Sequence, residues 1–217
     1  IPFALPIAPA MGEDDFLVTP SNREASALIG QASGTLLLLG PKGSGKSHLA
    51  RIWMKRLEAS LLDFEKTLPD ELVTAPSWLW EDADQAAWDA AAEEKAFHLL
   101  NSAREGKIPL LITATAAPAL WPLNLADVRS RLLALPVAQL HAPDDALMAG
   151  LLLKHLNDRQ LKVSEEVLNY LLARLPREGA RLEEAVQRLD RASLADRRAI
   201  TIPLARDILK DFLAANA

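Results

Sequence analysis

Thr35-Leu36-Leu37-Leu38-Leu39-Gly40-Pro41-Lys42-Gly43-Ser44-Gly45-Lys46-Ser47-His48-Leu49 is the stretch on which the fold turns. Residues 40–47 fit the phosphate-binding pattern G-x-x-x-x-G-K-[ST]. The run before them is apolar and of strand length, and residues 48–57 after them read as a helix. Strand, glycine-rich turn and helix in that order are the context the pattern requires. The glycines let the backbone curl until successive N–H groups and the positive end of the helix face a pyrophosphate. Gly40, Pro41, Lys42, Gly43, Ser44, Gly45 and His48 are then the nucleotide-binding candidates. Lys46 reaches the terminal phosphates, and the Ser47 hydroxyl sits on Mg2+. An ordinary glycine turn between strand and helix would leave the full pattern unexplained.

Composition narrows the class. A chain of 217 residues has room for one sizeable domain or for a larger and a smaller one with separate cores, and we read two. Half the residues are hydrophobic and 24% are charged, the balance of a folded chain. A net charge of −5 argues against a broad electrostatic grip on a nucleic-acid backbone and leaves room only for a local basic patch. Without cysteine there is no disulfide framework, thiolate nucleophile or cysteine-type zinc site, which suits a reducing cytoplasm. The longest apolar runs, 36–39 and 109–120, fall short of the roughly 20 residues that span a bilayer. The first ten residues lack a basic segment and carry Pro2, Pro6 and Pro9, unlike a secretion signal.

Along the chain, residues 1–12 read as an extended arm, 13–142 as an α/β nucleotide-binding domain and 143–217 as a small helical lid. Strands are expected at 35–39, 61–65, 77–80, 108–115 and 137–140. Helices separate them, including one through residue 29 that Ser21 or Asn22 could cap and a long one over 86–105 stopped by Gly106. Strands divided by helices imply a parallel five-stranded sheet. Beyond Pro143 only helical periodicity remains, at 144–156, 164–175, 177–193 and 201–213, with Asp144, Ser164 and Thr201 as caps.

Glu81 and Asp82 end the third strand, where a nucleotide-binding sheet places carboxylates that hold Mg2+ through water or polarise an attacking water. Their order reverses the commoner aspartate-then-glutamate, which points to binding with feeble hydrolysis. Asp84 makes the same corner acidic, so a solvated acidic turn is the alternative to that role. Thr113 and Thr115 close the fourth strand. Thr115 could sense a terminal phosphate, while Thr113 reads as an ordinary strand residue. Arg129-Ser130-Arg131 sits in an otherwise apolar run, where an arginine could either pair on the surface or reach a neighbouring subunit's phosphate.

Phosphate loop, acidic strand end, threonine-ended strand, Ser130-Arg131-Leu132 and helical lid together resemble an AAA+ ATPase module. More narrowly, the chain is similar to the bacterial replication-initiator family, DnaA, and its short relative Hda. The residues that carry this are 15–22, 40–49, Leu189-Asp190-Arg191-Ala192-Ser193, Ile200-Thr201-Ile202-Pro203 and Ile208-Leu209-Lys210, so the resemblance covers nearly the whole chain. The interval from Lys46 to Glu81 is too short for an initiator's DNA-handling helices, and no duplex-reading helix-turn-helix follows the lid.

The resemblance implies a regulator that promotes hydrolysis of initiator-bound ATP after docking on the DNA sliding clamp. Arg131 would be the trans arginine finger, Thr115 the first sensor, and Phe16, Leu17 and Val18 the adenine neighbours. ADP or ATP with Mg2+ would order the protein rather than fuel it. The register of the family's second-sensor arginine falls on Ala180, with Arg181 one place later and Arg177 as a fallback, and one residue along a helix is a rotation of about 100°. Hda-like chains begin with a clamp-binding peptide of the type Gln-Leu-x-Leu-x-Leu, which Ile1, Phe3 and Leu5 would continue behind a glutamine. The resemblance implies no sequence-specific DNA contact and leaves the subunit number open, a homodimer included. The competing readings are a self-sufficient P-loop ATPase on single-stranded DNA or in helicase loading, and a small-molecule kinase.

Overall fold

The computed structural model describes residues 16–67, 69–196 and 198–214. The expected clamp-binding arm, with Ile1, Phe3 and Leu5, lies outside the described residues. Contacts divide the chain into two units. Glu24–Gly40 and Lys46–Leu140 build the first; Leu17–Arg23, Pro41–Gly45 and the chain from His141 onward build the second.

The first unit is a five-stranded, all-parallel sheet in the order β2-β3-β4-β1-β5. Its strands are β1 (Thr35–Leu39), β2 (Ser60–Leu61), β3 (Trp78–Trp80), β4 (Leu110–Ala114) and β5 (Val137–Gln139). Alternation along the strands sends side chains to two separate cores, because successive residues of a strand face opposite ways. Leu37, Trp78, Trp80, Leu110 and Ile112 meet α3 (Ala90–Glu105) and α4 (Ala126–Leu133). Leu36, Leu38, Leu79, Leu111 and Ala138 meet α1 (Arg23–Gln31) and α2 (Lys46–Arg56). A central parallel sheet therefore carries helices on both faces, as the apolar strand runs require.

Two expected boundaries move. The second strand, expected over 61–65, shrinks to Ser60–Leu61 because Asp63 starts a turn and Phe64 leaves the sheet plane to stack on Trp80, ring centroids 4.3 Å apart. The long helix begins at Ala90, not 86. Trp88 is drawn into an aromatic group with Phe64, Trp80 and Trp121, and Asp89 caps the helix by accepting the Ala92 N–H at 2.8 Å.

In the second unit, α5 (Asp145–Asp158), α6 (Glu165–Leu172), α7 (Gly179–Asp196) and α8 (Ile202–Ala214) bury Leu152, Leu156, Leu171, Val186, Leu189 and Phe212 against one another. Asp144 and Ser164 cap α5 and α6 as expected. Ser21 and Asn22 act differently. Asn22 Oδ1 accepts the Thr19 N–H and its amide donates to the Leu17 carbonyl, both at 2.8 Å, so it ties the preceding loop and does not cap α1. No helix among the described residues is long and apolar enough to cross a membrane.

One buried carboxylate ties down the chain that leads into α4. Glu93, only 2% exposed in the first turn of α3, accepts the N–H groups of Asn124 and Leu125 and the Asn124 amide, so a side chain of one helix holds the residues just before the next. The Asn124 N–H leads in holding its carboxyl below the usual glutamate range. The Leu125 N–H, the Asn124 amide and the Arg129 charge assist, against the opposing effect of burial. A depressed carboxylate adds stability above its unfolded value, and that stability is lost as pH falls through the folded one. Acid unfolding of the wild type should therefore steepen below about pH 4, and Glu93→Gln should flatten that limb in urea titrations at stepped pH. Glu93→Ala, which removes the charged acceptor shared by these donors, should cost about 1–3 kcal/mol at neutral pH.

Candidate functional site

The 40–47 loop leaves the C-terminal end of β1 and runs directly into α2, whose first residue is Lys46. Gly43 (φ 77°) and Gly45 (φ 95°) occupy the left-handed region that side chains disfavour, which explains glycine at both. Ser44 is 3% exposed, and its Oγ has no hydrogen-bond partner. A buried hydroxyl left unsatisfied in a loop of this shape fits an external acceptor such as a phosphate.

Lys46 is 8% exposed, and its Nζ donates to the Gly40 carbonyl at 2.7 Å and to Thr115 Oγ1 at 3.3 Å. Burial pushes its pKa down, opposed by the carboxylates of Asp82 and Asp84. Lys46, Gly40, Thr115 and the acidic corner are thus brought together at one edge of the sheet. Thr113 has a different role: Thr113 Oγ1 accepts the Asp82 N–H at 2.9 Å, holding Asp82 in a left-handed conformation at φ 48°. Asp84, read in the sequence as acidic background, orients the end of β4. Its Oδ2 accepts the N–H groups of Thr115 at 3.1 Å and Ala116 at 3.0 Å, and its Oδ1 is buried without a partner.

Ser47, Glu81 and Asp82 are exposed. Among the described residues no three His, Cys, Asp or Glu side chains converge on a metal position, so Mg2+ would need oxygens of the nucleotide beside the Ser47 hydroxyl. The residues fit that group. Ser47 would hold it directly, and Glu81 or Asp82 through water.

The three expected adenine neighbours diverge. Phe16 sets its ring edge-on to His48, centroids 5.3 Å apart, Leu17 packs so tightly on Gly150 of α5 that a Cβ there would stand 2.8 Å from it, and Val18 is 55% exposed. Neither candidate second sensor is free. Arg181 lies over the Phe212 ring at 5.9 Å and 3.8 Å from Glu184, whereas Arg177 pairs with Asp145 at 2.5 Å. The lid residue that does touch the loop is Glu178, unanticipated in the sequence. A Cβ on Gly43 would stand 2.9 Å from Glu178 Cγ and 3.2 Å from its Cα.

Arg131 lies in the last turn of α4, with its guanidinium 4.9 Å above the Phe97 ring and its Nε buried without a partner. It shares a wall with Ser33, Gly34 and Thr35, at the N-terminal end of β1. Strands here are parallel, so Arg131 and the start of the phosphate loop occupy opposite edges of the sheet, separated by a five-residue strand of roughly 16 Å.

Residues 145–209 match the family of Hda lid domains. Across its length the chain is 30% identical to an uncharacterized protein of Haemophilus influenzae, over 215 residues that cover 91% of this chain and 90% of that one. Its fold is similar to that of domain III of the Thermotoga maritima replication initiation protein DnaA (TM-score 0.79, 20% identity, 96% of this chain and 99% of that one). It is also similar to AMPPCP-bound DnaA from Aquifex aeolicus (TM-score 0.68, 15% identity, 83% of this chain and 65% of that one).

Removing the ammonium should weaken the loop's hold on phosphates. Lys46→Ala is expected to weaken ADP binding by roughly 10- to 100-fold in titration calorimetry, the range for a lost charge-assisted hydrogen bond. Gly43→Ala should weaken it too, through backbone strain and the clash with Glu178.

Proposed function

We propose a function from one premise: the chain belongs to the Hda-like branch of the DnaA family of AAA+ proteins. It is a regulator that binds adenine nucleotide, ADP or ATP with Mg2+, on the 40–47 loop and promotes hydrolysis of ATP held by the initiator DnaA. It does so docked on the DNA sliding clamp through the arm that carries Ile1, Phe3 and Leu5, in the cytoplasm, and thereby prevents re-initiation of replication. In this reading the nucleotide-binding domain spans 13–142 and the lid 143–217, although Leu17–Arg23 and Pro41–Gly45 group with the helical unit.

The position of Arg131 supports this reading most. A guanidinium at the sheet edge opposite its own phosphate loop has no route to its own nucleotide, so the triphosphate it can stabilise belongs to another molecule. The reversed Glu81-Asp82 pair, with Asp82 held by Thr113, and the engagement of Arg177 and Arg181 in ion pairs favour a resident nucleotide that orders the protein. Chemically, the arginine would offset charge developing on the partner's γ-phosphate oxygens, a contribution of about 10³ to 10⁵ in rate where such fingers act.

Arg131→Ala should leave ADP affinity unchanged in calorimetry and reduce clamp-dependent stimulation of initiator ATP hydrolysis to background. Full stimulation by the variant would discard the finger assignment.

A further inference from the structure

A cavity of about 450 Å3 opens at the sheet edge that carries Arg131. The last turn of α3, the following loop, the end of α4 and the residues before β1 enclose it. Leu100, Ala103 and Ile108 form an apolar floor, each 9% exposed or less. Arg104, Lys107 and Arg131 stand around it, and no carboxylate lines it.

Some cations of the helical unit pair with acids, Arg177 with Asp145, Arg188 with Glu184, Lys154 with Asp158 and Arg159 with Glu183, all within 3.6 Å. Among the described residues Arg104, Lys107 and Arg131 make no ion pair, and Arg131 Nε is buried and unsatisfied. In a chain of net charge −5, three unmatched cations around one apolar hollow mark a surface complementary to something anionic with an apolar body. The volume falls in the range of cavities that hold ligand groups.

We infer that this cavity seats an acidic, apolar-tipped peptide segment of the initiator: an aspartate or glutamate meets Arg104 and Lys107 while the adjoining apolar side chain enters against Leu100, Ala103 and Ile108. The inference rests on the trans reading of Arg131, because the molecule whose triphosphate that residue addresses is the one brought against this wall. Arg104 and Lys107 determine how tightly the partner is held; Arg131, stacked on Phe97, determines what happens to its nucleotide.

The test measures two quantities with the full chain, ATP-bound initiator and DNA-loaded clamp: the Kd for initiator by calorimetry, and the maximal rate of stimulated hydrolysis. Arg104→Glu with Lys107→Glu should raise the Kd about tenfold or more, steeply eased by salt in the wild type, while the rate at saturation is retained. Ala134→Trp, an exposed substitution at the cavity mouth, should raise the Kd without altering charge. Arg131→Ala should show the opposite split, with the rate lost and the Kd kept within a few-fold. An unchanged Kd in the charge-reversed variant overturns the seat, and so does weakened clamp binding with initiator affinity intact. Wild-type binding without stimulation overturns the finger reading alone and leaves the seat to stand on its Kd comparison.

Discussion

A buried ammonium organises the nucleotide-binding unit. Lys46 Nζ joins the Gly40 carbonyl, at the exit of β1, to Thr115 Oγ1, just past β4, under the influence of the acids that follow β3. Three neighbouring strands thus deliver their C-terminal ends to one cation. A charge removed this far from water is tolerated only where acceptors and opposite charges surround it, and that requirement explains why Asp82 and Asp84 are where they are. Asp84 also orients Thr115 through that residue's own N–H, so the acidic corner shapes the end of β4 as well as the electrostatics.

The other sheet edge is organised by a second carboxylate. Glu93 reaches from α3 to hold the residues that lead into α4, and α4 carries Arg131. The distance between loop and guanidinium is then set by the length of β1, which a folded parallel sheet cannot shorten. In the proposed reading one end of the sheet holds a nucleotide and the other meets a partner. This division gives physical content to a regulator whose own nucleotide and whose chemistry lie on different molecules.

How legible this was in the sequence depends on how local each determinant is. The loop, the β1 and β4 runs and the caps Asp144 and Ser164 could be read directly, because glycine positions, apolar runs and capping side chains act within a few residues. The parallel order followed from alternating elements. Glu93 and Asp84 were illegible because their partners stand some 30 residues away, Asn124 and Leu125 for one and Thr115 and Ala116 for the other. The second strand was read too long because Phe64 looks like a strand residue but finds a better partner in Trp80 than in the sheet. The second-sensor register fell on Ala180, with Arg181 one place along, and Arg181 is held by a local acid and an aromatic ring. The three cations of the cavity come from two stretches, 104–107 and the end of α4, that nothing local in the chain links.

In the proposed reading this protein holds one nucleotide and acts on another. Single-turnover hydrolysis with the γ-phosphate label placed first on the initiator's ATP and then on ATP loaded on this chain separates the two most directly. Release of label only from the initiator, dependent on this chain, is the predicted result; release that follows the nucleotide on this chain's own loop would contradict it.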